Sequence, residues 1–170
     1  MNQNINLTIV AFITVLLSVT QAQGQHKSGT HAPGMSHEEM NKRGEEVMGF
    51  NQTETTHHFV LLQEGGAIEV EANRADDASN QNKIRKHLSE IAKMFAKGNF
   101  SAPFLIHEQN PPGVPVMKRL KNEIEYKLEK TARGARVLIS TKNGKALKAI
   151  HDFLRFQITE HQTGDSLEVR

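Results

Sequence analysis

The chain has 170 residues, enough to bury a full core without cross-links, and it contains no cysteine. Disulfides, thiolate metal sites and covalent haem attachment are therefore excluded. A formal charge of +2 with well-mixed signs makes no nucleic-acid footprint, and with no Trp and one Tyr there is little to stack on bases or sugars.

Residues 1–24 have the pattern of an export signal. The stretch Leu7 to Val19 is uncharged and mostly apolar, then gives way to Thr20-Gln21-Ala22-Gln23-Gly24, where small residues at Ala22 and Gly24 suit cleavage. The run is shorter than the about 20 residues a transmembrane helix needs. The first 25 residues hold no Lys or Arg, which leaves an uncleaved anchor as the alternative. The expected product is an exported protein, periplasmic or secreted, with no membrane span once the signal is removed.

Residues 25–45 are polar and read as a flexible leader. It carries His26, His31, His37, Met35 and Met40, a set that suits auxiliary capture of copper where cysteine is absent.

One α+β domain is expected over 46–165, made of two ββα halves at about 55–97 and 124–161, with 166–170 as a frayed polar tail. In the first half, Thr55 to Leu62 is β-branched and apolar, Gln63-Glu64-Gly65-Gly66 turns, and Ile68, Val70 and Ala72 alternate with Glu69 and Glu71. The helix that follows, about 80–96, places Ile84, His87, Leu88, Ile91 and Phe95 on one face. A loop through Phe104-Leu105-Ile106-His107 leads to Pro111-Pro112-Gly113, and a short helix is expected near 116–122. In the second half, Ile124, Tyr126 and Leu128 alternate with charges, and Ala135 to Ser140 returns the chain. Asn143-Gly144 opens a helix with Leu147, Ile150, His151, Leu154, Ile158 and His161 on one face. Two such repeats make a four-stranded antiparallel sheet with helices packed on one face.

The chemistry rests on the nine histidines and six methionines. Soft-metal ligation must come from these two residue types, with Asp and Glu as harder alternatives. His57 and His58 are neighbours on a strand, so only one can look toward the helices. His87 and His151 are the shared feature of the two helices, and a twofold-like arrangement would bring them together. The candidate metal ligands are therefore His57, His58, His87, His151, His161 and Met48, for copper in preference to zinc. Non-covalent haem held by the same residues is the alternative. A cell-envelope interaction module, in which the histidines only pack, is the plain one. No enzyme signature is present: H-E-x-x-H, G-x-S-x-G and phosphate-loop patterns are missing, and Asp152 next to His151 on a helix makes a poor dyad. Binding or delivery of a metal ion, or contact with an envelope protein, is expected rather than catalysis.

Several strings together, Met48-Gly49-Phe50, Thr55-Thr56-His57-His58-Phe59, Pro111-Pro112-Gly113-Val114 and Ile150 through Ile158 with Thr163-Gly164-Asp165, resemble an uncharacterised family of exported bacterial proteins. The resemblance spans about residues 43–165. It implies a periplasmic setting and carries no activity.

Overall fold

A computed structural model describes residues 37–170. Its elements run α1 (His37–Met48), β1 (Thr55–Leu62), β2 (Gly65–Ala72), α2 (Ala78–Ala96), α3 (Ser101–His107), α4 (Val114–Arg119), a 3₁₀ turn at Lys121–Glu123, β3 (Ile124–Lys130), β4 (Gly134–Thr141) and α5 (Gly144–His161). The four strands form one antiparallel sheet in the order β1-β2-β4-β3, with helices packed against it. The expected α+β class is what the chain adopts.

Strand register follows from side-chain alternation, because a slip of one residue would turn every apolar side chain outward. Phe59 pairs with Ile68, and Ile68 with Val137, so buried residues from neighbouring strands line up under the helices. On the open face the same register sets Glu69, Arg136 and Glu129 in a row of alternating charge, with His58 beside Glu69. Such cross-strand opposite-charge pairs each contribute roughly 0.2–1 kcal/mol.

The helices begin and end on local signals. The Asp77 side chain accepts from the Asn80 N–H at the start of α2, and Asn143 accepts from the Lys145 and Ala146 N–H groups at the start of α5. α2 stops at Gly98, whose φ of 76° closes the last turn with its N–H on the Phe95 carbonyl. The helices cross over: α2 lies chiefly over β3 and β4, and α5 over β1 and β2. Phe95, Phe100 and Phe153 meet where α2, α3 and α5 converge, with ring centroids 4.3–6.2 Å apart.

Four elements differ from expectation. The helix α1 occupies part of the stretch expected to be a flexible leader. Its buried stripe is narrow, Met40, Gly44 and Met48 at four-residue spacing, with charged residues around it. Met40 is 3% exposed, so it is a core residue and not part of a capture arm. The expected loop through His107 is α3, with Pro103 in the first turn where a helix tolerates it. The short helix starts at Val114, two residues early, because Pro115 suits a helix start. The tail is held along the edge of β1, with the Arg170 N–H on the Leu61 carbonyl and Arg155 Nε–H on the Leu167 carbonyl. The expected signal at 1–24, with His26, His31 and Met35, lies outside the described residues. Among the described residues no helix is long and apolar enough to cross a membrane.

Candidate functional site

Three histidines from three elements meet in one cavity between the sheet and the helices. His57 comes from β1, on the face toward the helical layer; His87 comes from α2 and His161 from the last turn of α5. The cavity measures about 50 Å³ and is otherwise lined mainly by apolar side chains, among them Phe59, Leu88, Ile91, Phe95 and Phe153. Met48, at the end of α1, and Gln157, one turn before His161 on α5, complete its polarisable and polar lining.

The rings stack into a chain. Phe50 lies 6.0 Å from the His57 centroid and 5.7 Å from that of His87, so it bridges the two. His57 and His161 are 5.8 Å apart with planes 10° from parallel. His107 stands edge-on to His161 at 5.0 Å and to Phe156 at 5.0 Å.

Burial decides the charge state of these imidazoles. Desolvation is the main cause that takes His57 down to about 4, helped by the proximity of His87 and then His58. Desolvation also takes His87 to about 4 against a small opposing pull from Glu90. His107 is lowered by the same cause. His57 and His87 are thus neutral near pH 7, the form in which a ring nitrogen offers a lone pair.

The hydrogen bonds separate ligand candidates from structural residues. His57 Nε2 is sealed from solvent and has no partner. His107, only 1% exposed, donates from Nε2 to Gln157 Oε1 at 3.1 Å, and the Gln157 Nε2 is left buried without an acceptor. His58 and His151 are committed elsewhere. His58 faces the opposite side of the sheet and donates from Nδ1 to Asp165 at 2.9 Å. His151 Nε2–H is shared between the Leu62 carbonyl at 2.9 Å and the Gly65 carbonyl at 3.0 Å.

The expected meeting of His87 with His151 is therefore not what the chain does. His151 does not line the cavity; its ring holds the β1–β2 turn. The second half contributes His161 instead, which periodicity had already placed on the same helical face. Met48, His57, His87 and His161 line one cavity, while the His58 and His151 rings hydrogen-bond outside it. Gln157 and His107 were missed as a pair. A Gln four residues before a His on an apolar helix face was the available signal for Gln157.

Among the described residues, no three His, Asp or Glu side chains are already placed to hold one metal ion. Comparison with protein-family models, with curated proteins and with solved structures returns no match.

Proposed function

We propose that the protein is an exported copper-binding or copper-delivery protein, and that the cavity takes one Cu(I) ion. The single observation that supports this most is the donor set: the neutral imidazoles of His57 and His87, the His161 ring and the Met48 thioether, in an apolar wall without a carboxylate. Imidazole and thioether together favour soft copper, and Cu(I) accepts as few as two or three ligands, fewer than the donors that line this cavity. Zinc prefers four ligands in a tetrahedron, and hard ions prefer oxygen, which this wall does not supply. A haem is far larger than the cavity, since even drug-sized ligands occupy roughly 300–1,000 Å³. Upstream, the apolar run of residues 7–19 is the basis for reading the protein as exported, and His26, His31, His37 and Met35 are the proposed capture donors.

The test is competition for Cu(I) against a chromophoric chelator, using the full chain without an affinity tag. One tightly held equivalent is expected, lost in His57→Leu and His87→Leu and kept in His58→Leu and His151→Ala. A chelator that strips the wild-type chain as readily as the His57→Leu/His87→Leu double variant would refute the proposal.

A further inference from the structure

The Gln157 amide adds something a plain ion-storage site does not need. It sits on α5 one turn after Phe153 and one turn before His161, a single face of the helix that borders the cavity. Its carboxamide is held in one orientation from behind. His107 Nε2–H donates to Oε1, and the His107 ring is wedged between Phe156 and His161. That leaves the amide N–H₂ as a fixed donor, on a side chain 4% exposed, with nothing accepting from it. A buried donor left without a partner carries a desolvation cost of about 1–3 kcal/mol, and native interiors rarely leave such groups orphaned.

The cavity size limits what could accept. At roughly 10–15 Å³ for each water-sized occupant, the space of about 50 Å³ exceeds one metal ion by only a few atoms. With the ion on the histidine nitrogens, a cluster of waters would find few partners besides Gln157 among Phe59, Leu88, Ile91, Phe95 and Phe153, and a buried water needs about 2–4. A very small molecule with one polar end fits this wall better.

Resting on the copper reading, we infer that the loaded cavity keeps an open coordination position for a small π-acceptor diatomic, whose outer atom accepts a hydrogen bond from Gln157. Metal binding falls to the histidines and Met48, and Gln157 selects and polarises the exogenous ligand. It is a specificity residue, not a ligand of the ion.

Carbon monoxide is the probe. The Cu(I)-loaded full chain is exposed to it and the infrared C–O stretch is recorded, with bound copper counted in the same sample. A single band is expected, displaced slightly when the solvent is exchanged to D₂O and moved to higher frequency in Gln157→Leu at unchanged copper content. The D₂O measurement uses the wild-type chain and so does not depend on the variant folding. Bound copper with no carbonyl band would overturn the inference while leaving copper binding intact. So would a band indifferent to both D₂O and Gln157→Leu. Failure to retain copper at all would sink the copper reading and this inference together.

Discussion

Arg85 and His151 do the same work from the same place. Each is the eighth residue of its helix, counted from Ala78 in α2 and from Gly144 in α5. His151 holds the Leu62 and Gly65 carbonyls at the β1–β2 turn, while Arg85 holds the Gly134 carbonyl at 3.1 Å and the Thr131 carbonyl at 3.4 Å at the β3–β4 turn. Each helix thus clamps the hairpin it lies over, which belongs to the other half of the chain. Carrying that alignment along the helices sets Phe153 against His87 and Phe95 against His161, and the matching hairpins set Tyr126 against His57.

The clamps give the first prediction. His151→Ala removes the donor shared by two carbonyls and should cost about 1–3 kcal/mol, read by urea denaturation. Arg85→Ala should cost a similar or smaller amount, because its guanidinium is partly solvated. The two sites share no partners, so the double variant should be additive to within about 0.5 kcal/mol. Copper content should be unchanged in His151→Ala.

This alignment also shows where the sequence was informative and where it was not. Alternation and turn residues gave the strands and both hairpins, and the apolar stripes gave α2 and α5. Matching His87 to His151 was off by two positions, because residue type was followed where position mattered: the counterpart of His151 is an arginine. The cavity histidines have Phe and Tyr as counterparts, so no comparison of like with like would find them. α1 stayed hidden because three buried positions, one of them Gly44, are too thin a stripe to stand out from twelve mostly polar residues.

The neutral histidines make the protein acid-sensitive in a definite window. His57 and His87 titrate near 6.5 when unfolded and near 4 when folded, so between those values the unfolded chain binds more protons. Stability should be full above pH 6.5 and fall as pH drops toward 4. The slope is at most about 1.4 kcal/mol per pH unit for each histidine. Asp165, held below the usual carboxylate range by Phe59 N–H, Thr163 and His58, adds a further loss only below about pH 4. Urea midpoints at pH 7, 5.5 and 4.5 check this. A His57→Phe/His87→Phe chain should show a flatter profile, and an unchanged slope would contradict the assignment.

Asp165 pins the tail to the sheet edge. Its carboxylate accepts from the Phe59 N–H at 2.9 Å, from the Thr163 hydroxyl at 2.7 Å and from His58. Asp165→Ala should release the segment after Gln162 and expose that edge of β1. Hydrogen exchange at the Phe59 amide should rise sharply, with a stability loss of about 1–3 kcal/mol. Unchanged exchange at Phe59 would show that the tail is held by its backbone contacts instead.

Gly113 joins the proline-rich turn to α5. Its φ is 81°, and a Cβ there would stand 2.0 Å from the Ala149 carbonyl oxygen. Gly113→Ala should therefore cost about 1–3 kcal/mol from backbone strain alone, with the clash against α5 added to it. A fall in Tm of roughly 5 °C or more is expected, and a smaller change would mean that α4 shifts away at little cost.

The sharpest separation of stability from function uses the seam opposite the cavity. There Tyr126 and Phe95 pack at 5.9 Å in the positions that His57 and His161 hold at 5.8 Å. Aromatic carbon rings are thus already tolerated by this backbone arrangement, so His57→Phe/His161→Phe should fold. It also removes the buried, partnerless His57 Nε2 and relieves its desolvation cost. The double variant should match or exceed the wild-type chain in urea resistance at pH 7 and surpass it at pH 5. On the copper proposal it should also lose the one tightly held equivalent. A folded double variant that still retains that equivalent would place the metal outside the cavity.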